Sequence, residues 1–287
     1  MNHERRLPSS RLGRLAHMGR LVGGLAGGMA SEGVSRLAGG ERPSMRSLVL
    51  TPANMERLGS RLSEMRGAAM KLGQLLSMDS GELLPPELGQ LLERLRQDAH
   101  PMPGVQVARS LEDAWGAGWE RRFRRFGFTP VAAASIGQVH RAELKDGTLL
   151  AVKLQHPGVR RSIDSDVDNV AGLLRTFRLL PEGMDIAPLL EEARRQLHAE
   201  ADYRLEAAAL NRFRERLAGD PRFQVPEVDD GLSGRDVLAM TFLEGEPVEA
   251  LVEGDAATRD RVGSLLVEQA LREVFQWGLV QTDPNFA

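Results

Sequence analysis

The sequence predicts an α+β fold, in which a helical first part leads into a block of strands and then into helices again. Apolar residues recur at helical spacing over residues 51–98, which is typical of amphipathic helices. From Phe126 onward they alternate between turn signals, which is typical of strands. Hydrophobic residues make up 42% of the 287 residues and charged residues 27%, as in soluble proteins of one large domain or two modest ones.

The predicted elements follow in an order that constrains the fold. Thr51-Pro52 opens the first helix, and Asp146-Gly147 is a hairpin signal between two predicted strands. Three strands, helix, two strands and a further helix is the order of a protein-kinase N-lobe, although other α+β folds share it. The predicted helical stretches start at residue 51 and cover 88–95, 104–117, 162–180, 186–217 and 256–277, and the predicted strands are 126–128, 132–144, 148–154, 223–228 and 237–242.

Residues 1–46 form a basic leader with eight arginines and three acidic residues, which gives it a net charge of +5. Its apolar run, residues 21–30, is roughly half as long as a bilayer crossing requires, so we expect no membrane-spanning segment. A basic and weakly apolar leader is typical of a segment that lies on a membrane surface. A flexible tail is the alternative, and the sequence does not choose between the two.

Charge and composition argue against several classes of protein. A net charge of -3 and an aromatic content of 5% argue against nucleic-acid binding. The absence of cysteine excludes disulfides and thiolate metal sites and fits a reducing cytoplasm. Of the 37 lysines and arginines only three are lysine, and Lys145 precedes the hairpin turn, where any polar residue serves. Lys71 and Lys153 are therefore candidates for sites that need a compact ammonium, unless they are present by chance.

The segment 130–139 has the composition of a phosphate-binding loop. Small residues between two strands let backbone amides approach a phosphate chain closely. The spacing matches a kinase glycine loop with alanine at the first two glycine positions, Ala132 and Ala134. Alone, the match is poor, and an alanine-rich turn is the alternative. The residues predicted to line the phosphates are Ala132, Ala133, Ala134, Ser135, Gly137 and Val139.

Lys153 ends the strand that follows the hairpin, where a kinase holds the α- and β-phosphates. Such a lysine needs a carboxylate from a neighbouring helix. Glu200 and Asp202 lie two apart on the predicted helix 186–217, so one of them can pair with Lys153 while the other points elsewhere. An ordinary solvated helix face is the alternative.

Two further segments are singled out by position. Asp283 follows the last predicted helix, where a kinase catalytic loop has its proton acceptor. Lys71 and Gln74, three apart, share one face of an early helix, and small residues around them allow close packing.

Together these motifs resemble the UbiB/AarF family of atypical kinase-like proteins. Residues 71–74 resemble its K-x-G-Q signature, 132–138 its alanine-rich loop, 200–202 its E-x-D motif and 281–285 its catalytic loop. The motifs occur in family order, and the resemblance covers the chain from about residue 47 to its end. It implies an α+β, protein-kinase-like N-lobe with a helical K-x-G-Q extension and the start of a C-lobe.

The resemblance also implies roles for the singled-out residues. Lys153 would hold the phosphates, and Glu200 would pair with it. Asp202 would contact the K-x-G-Q segment, where Lys71 and Gln74 face the nucleotide. Asp283 would be the catalytic acid or base.

The expected division of the chain follows from the motifs. It comprises the leader 1–46, the K-x-G-Q extension 47–122, the N-lobe with its E-x-D helix 123–245, and the start of a truncated C-lobe, 246–287.

The resemblance implies a function and partners. Members bind ATP and ADP with Mg²⁺, associate with membranes and support ubiquinone biosynthesis as atypical kinases or ATPases. We therefore expect as partners ATP, membrane lipid or isoprenoid quinone precursors and quinone-biosynthesis proteins, but no nucleic acid. The expected location is cytoplasmic and peripheral on the inner membrane.

The sequence departs from the kinase pattern at its end. The asparagine that holds a second magnesium lies five residues after the catalytic aspartate, which from Asp283 leads beyond residue 287. Both expected Mg²⁺ ligands would lie there, so we expect negligible turnover and an incomplete sequence. The apolar face of helix 256–277 is expected to lack its cover. The alternatives are a non-catalytic nucleotide-sensing scaffold and a fragment without function.

Overall fold

The computed structural model describes residues 51–80, 101–176 and 183–282. It confirms the predicted α+β class, because helices pack around an antiparallel sheet whose strands differ in length. The predicted leader 1–46, the predicted helix 88–95 and Asp283 lie outside the described residues. The division of the chain into segments stays a prediction.

The described elements agree with most of the predicted ones. The helices are α1 (Pro52–Leu62), α2 (Arg66–Ser80), α3 (Gly104–Trp115), α4 (Val159–Thr176), α5 (Ala187–Glu200), α6 (Tyr203–Leu217) and α7 (Ala256–Arg272). Short 3₁₀ turns cover Ser63–Met65, Trp119–Arg122 and Val248–Glu253, and a π-helical turn, Glu273–Trp277, follows α7. The strands are β1 (Phe123–Phe126), β2 (Ala132–Ala133), β3 (Gly137–Leu144), β4 (Leu149–Gln155) and β5 (Val237–Thr241).

The sheet runs in the order β1-β3-β4-β5, and β2 also pairs with β3. The predicted hairpin joins β3 to β4, with Gly147 at a φ of 92° and its N–H donating to the carbonyl of Leu144. A left-handed residue is what such a turn requires, and glycine supplies it without strain.

Each face of the sheet is covered by a different helix. One face packs against α3 and the residues beside it, including Val107, Leu111 and Trp119. The other face packs against the start of α6, where Tyr203 contacts Leu238 and Val228. Successive residues of a strand point to opposite faces, so the side chains of β4 alternate between the α3 side and the α6 side of the sheet.

A separate apolar cluster joins α1 and α2 to α4 and α5. Leu72 of α2, Val167 of α4 and Leu197 of α5 are among its buried members. Ile136, between β2 and β3, is also part of this cluster and is 2% exposed. The loop predicted to hold phosphates therefore has its tip fixed in the helical layer.

The predicted helix 186–217 is wrong in one respect, because it breaks between α5 and α6. Asp202 is extended, with φ -131° and ψ 91°, and its side chain accepts the N–H of Arg204. This is an N-cap, which satisfies an otherwise unpaired backbone donor at the start of a new helix, α6. The predicted strand 223–228 is also wrong, since only Val228 forms a bridge, with Met240.

Helix α7 is attached mainly through charged side chains. No residue of α7 is buried in the described part of the chain, and Leu271, Val274 and Phe275 are exposed there, as predicted for this apolar face. Arg272 bonds to Asp220 at 2.9 Å and lies near the rings of Phe223 and Trp277. Arg222 joins the same Asp220 to Glu268 of α7.

A buried polar chain crosses the α3 face of the sheet. His140 is 0% exposed, and its Nδ1 donates to the carbonyl of Gly127 at 2.8 Å. Its Nε2 then accepts from the amide of Gln138 at 2.7 Å, whose oxygen accepts the N–H of Met102 at 2.8 Å. These hydrogen bonds can all form only if the imidazole is neutral. Burial favours this state, because it lowers the pKa of His140 below 6.5.

The neutral imidazole predicts an acid-sensitive fold. Below pH 6.5 the unfolded state takes up a proton that folded His140 resists. The free energy of unfolding should therefore fall as the pH drops from 6.5, by up to about 1.4 kcal/mol per pH unit. Urea unfolding between about pH 7.5 and about pH 5 measures the loss.

The control distinguishes His140 from the other histidines. His140→Gln should remove this part of the acid dependence, whatever it does to stability at neutral pH. His198→Gln changes an exposed histidine bonded to Asp164 and should keep the parent's decline. An unchanged slope in His140→Gln would contradict the neutral-imidazole assignment.

Candidate functional site

Lys153 and the small-residue loop lie on the same face of the sheet. Ala132 opposes Val139, Val139 opposes Lys153, and Lys153 opposes Leu238 across β2, β3, β4 and β5. Directly opposed residues of neighbouring strands point to the same face. The register thus brings the loop and the lysine into one row, as the motif spacing predicts.

The partner of Lys153 is Glu206, and the predicted pair with Glu200 is not formed. Lys153 Nζ lies 2.8 Å and 2.7 Å from the two carboxylate oxygens of Glu206. Glu206 belongs to the first turn of α6, whereas Glu200 ends α5. The helix break at Ala201 and Asp202 turns Glu200 toward a different lysine.

Glu200 connects the K-x-G-Q helix to the small-residue loop. Lys71 Nζ lies 2.7 Å from one oxygen of Glu200, and Ser135 Oγ donates to the other at 3.0 Å. The Lys71 side chain is only 11% exposed. A charge this buried is stable only when it is paired, so α2, α5 and the loop are held in one arrangement.

The contact between Asp202 and the K-x-G-Q segment, which the resemblance implied, is not formed. Its carboxylate caps α6 and pairs with Arg204 and, at 3.6 Å, with Arg235. Hydrogen bonding to Arg204 is the main reason that the pKa of Asp202 falls to about 2. Asp202 therefore sets where α6 begins and hence where Glu206 lies.

The loop itself is a tight turn between β2 and β3. Ala132 and Ala133 are exposed, and the N–H of Ala134 donates to the carbonyl of Gly137 at 2.9 Å. A Cβ on Gly137 would lie 2.3 Å from the carbonyl oxygen of Leu154 and 2.8 Å from the hydroxyl of Tyr203. Glycine is therefore required by close packing at this position.

Two predicted site residues, Gln74 and Asp283, have no described contact with Lys153. Gln74 is exposed on α2, while Asp283 lies outside the described residues. The residues that precede Asp283 are held by Glu273, which is 5% exposed and accepts the N–H of Gln281 at 2.8 Å. Gly278, at a φ of 57°, ends the π-helical turn before them.

Sequence reasoning missed Glu206 and Tyr203. The signal that could have found Glu206 is the cap: an aspartate that starts a new helix at residue 203 brings a glutamate into its first turn. No comparable signal identifies Tyr203, whose position depends on the packing of α6 against the sheet.

Within residues 51–80, 101–176 and 183–282, no group of three or more His, Cys, Asp or Glu side chains could hold a metal ion. Over the same residues, no helix is long and apolar enough to cross a bilayer.

Comparison with known proteins identifies the family. The model of the ABC1 atypical kinase-like domain matches residues 94–287. The chain belongs to the ABC1 atypical kinase-like family. The resemblance to UbiB/AarF proteins is thereby confirmed, together with the kinase-like α+β fold.

Similar proteins extend over nearly all of this ABC1 chain. It is 43% identical to atypical kinase coq-8, mitochondrial, of Caenorhabditis elegans, covering 100% of the chain and 38% of that protein. It is 39% identical to atypical kinase COQ8, mitochondrial, of Saccharomyces cerevisiae, covering 98% of the chain and 56% of that protein. The chain thus spans about half the length of these relatives.

A solved structure agrees with the fold. It is the complex of Rv3197 with erythromycin from Mycobacterium tuberculosis, with a TM-score of 0.56 and 35% sequence identity. The match covers 80% of this ABC1 chain and 59% of the other.

Gly137→Ala should destabilise the fold, because the new Cβ meets backbone on β4 and a buried hydroxyl. Overpacking of this kind costs about 1–3 kcal/mol of unfolding free energy. Gly172→Ala is the matched control, since a Cβ there meets nothing within 4 Å. It should leave stability unchanged or raise it by up to about 1 kcal/mol. Urea unfolding compares the two, and equal stabilities would contradict the close approach at Gly137.

Double-mutant cycles should recover the two ion pairs seen here. Unfolding free energies of Lys153→Met and Glu206→Gln, singly and combined, should show coupling of about 0.5 kcal/mol or more. Lys71→Met and Glu200→Gln should be coupled in the same way. The crossed combination of Lys153→Met with Glu200→Gln should couple less, and a larger value there would restore the pairing that the sequence predicted.

Proposed function

We propose that this chain is the nucleotide-binding part of an atypical kinase or ATPase that takes ATP and ADP. The observation that carries the proposal is the row of Ala132, Val139 and Lys153, in which an ammonium lies beside a loop of small residues. A kinase needs the same combination, because the lysine contacts the α- and β-phosphates while the loop covers them.

The restricted position of the Lys153 ammonium supports the proposal. An ammonium on a flexible stem binds phosphate well only if its position is restricted beforehand. Glu206 supplies this restriction through two short contacts. At 21% side-chain exposure, Lys153 remains reachable from solvent.

The contact between the small-residue loop and α2 favours a small molecule or water as the phosphoryl acceptor, rather than a protein. Ile136 packs beside Gly67 of α2, where a Cβ would come within 3.1 Å of it, and Ser135 bonds through Glu200 to Lys71. We propose that α2 covers the side of the cleft next to the loop tip. Large substrates would then need these contacts to open.

Asp283 is proposed as the acid or base of the reaction. The support is indirect: Glu273, buried, binds the N–H of Gln281 and so restricts the chain two residues before Asp283. Mg²⁺, when bound, would neutralise charge on the phosphates. The described residues assign no ligand to it.

Nucleotide titration tests the proposal. Calorimetric titration of the 287-residue chain with Mg-ADP should show binding, and Lys153→Met should weaken it at least about tenfold, because a charge-assisted hydrogen bond contributes about 1.5–3 kcal/mol. Lys145→Met is the matched control, since Lys145 is exposed at the β3–β4 hairpin. Its affinity should equal that of the parent.

Two results would contradict the proposal. If the parent does not bind Mg-ADP at millimolar concentration, this chain is not the nucleotide-binding part proposed here, and the nucleotide-sensing alternative is ruled out. If Lys153→Met binds as tightly as Lys145→Met, the phosphate role of Lys153 is wrong. Binding without turnover in the full-length protein would favour the nucleotide-sensing scaffold.

We further propose that the whole protein supports ubiquinone biosynthesis at the inner membrane, with quinone precursors or quinone-biosynthesis proteins as partners. The similarity to atypical kinases named COQ8 supports this, and the basic leader fits an anionic membrane surface. The test is the quinone content of a host that lacks its own ABC1 kinase and receives the full-length gene. No recovery of quinone would refute this part of the proposal.

A further inference from the structure

Tyr203 is the single tyrosine of the chain and begins α6. It is 1% exposed, and its backbone N–H donates to the carbonyl of Arg235 at 2.9 Å. Its hydroxyl has no hydrogen-bond partner among the described residues. The position of the ring is therefore set by packing and not by a hydrogen bond of its hydroxyl.

The ring lies between the small-residue loop and Lys153. Its hydroxyl end comes so close to Gly137 that a Cβ there would be 2.8 Å away. The Lys153 ammonium lies over the ring face, 4.9 Å from its centroid. Within about 6 Å an ammonium is attracted by the negative face of an aromatic ring, most strongly where water is excluded.

Two groups of α6 thus hold the same ammonium. Glu206, three residues after Tyr203, binds it through the carboxylate, and the ring supports it from another side. Burial, together with Glu206, Glu200 and Asp236, raises the pKa of the Tyr203 phenol, so the ring stays neutral.

We propose that Tyr203 is a positioning residue for Lys153, which acts through its ring face. When a phosphate draws Lys153 away from Glu206, the ring keeps the ammonium beside the loop. This inference rests on the proposed nucleotide function. It concerns a contact that needs no metal and no part of the chain outside the described residues.

The first experiment measures Mg-ADP affinity by calorimetry for the parent, Tyr203→Phe and Tyr203→Leu. Tyr203→Phe keeps the ring and should bind within about twofold of the parent, while Tyr203→Leu should bind about 2- to 30-fold more weakly. If Tyr203→Leu binds like the parent, or if Tyr203→Phe loses as much as Tyr203→Leu, the proposal is overturned.

The second experiment separates positioning from simple packing and requires no nucleotide. Tyr203→Leu and Tyr203→Phe are compared in the parent and in Lys153→Met, using the urea midpoint of unfolding. Lost packing is the same in both backgrounds, so only contact with the ammonium makes the Leu–Phe difference larger in the parent. Equal differences in the two backgrounds would overturn the proposal.

The two experiments fail in distinguishable ways. A parent that binds no Mg-ADP refutes the proposed function, while the urea comparison still decides whether Tyr203 and Lys153 are coupled. A parent that binds, with no coupling in urea, refutes only the role of Tyr203.

Discussion

Lys153 places a positive charge on a largely covered face of the sheet, and this charge needs a carboxylate beside it. Its carboxylate comes from α6, so α6 must begin at the right residue and pack against β4 and β5. Asp202 fixes that beginning through its cap, and the N–H of Tyr203 fixes it to the chain before β5. The Lys153–Glu206 pair thus fixes α6 to the sheet, while the Lys71–Glu200 pair fixes α2 to α5 and, through Ser135, to the loop.

The two candidate lysines found by composition are the two that the structure pairs. Lys71 and Lys153 each face a glutamate at 2.7 Å, whereas Lys145 is an exposed turn residue. A planar guanidinium is bulkier and less adaptable than an ammonium at such positions. This explains in physical terms why a chain that otherwise uses arginine has lysine there.

Local signals predicted what is locally determined, and failed where packing decides. The hairpin at Gly147, the strand that carries Lys153 and the small-residue loop follow from residue types and spacing. The partner of Lys153 did not, because Ala201 and Asp202 interrupt what periodicity treats as one helix. Once α5 and α6 separate, Glu206 makes the pair with Lys153 that was implied for Glu200, and Glu200 makes the contact with the K-x-G-Q helix that was implied for Asp202. The Tyr203 contact depends on the same packing.

The attachment of α7 has a consequence for how the molecule responds to solution conditions. Arg222 and Arg272 hold this helix through Asp220 and Glu268, with no buried apolar residue of α7 beneath them in the described chain. Partly exposed ion pairs weaken as dissolved ions screen them, whereas apolar cores do not. Raising the ionic strength should therefore weaken the attachment of α7 before it affects the sheet, and let α7 move independently of the sheet.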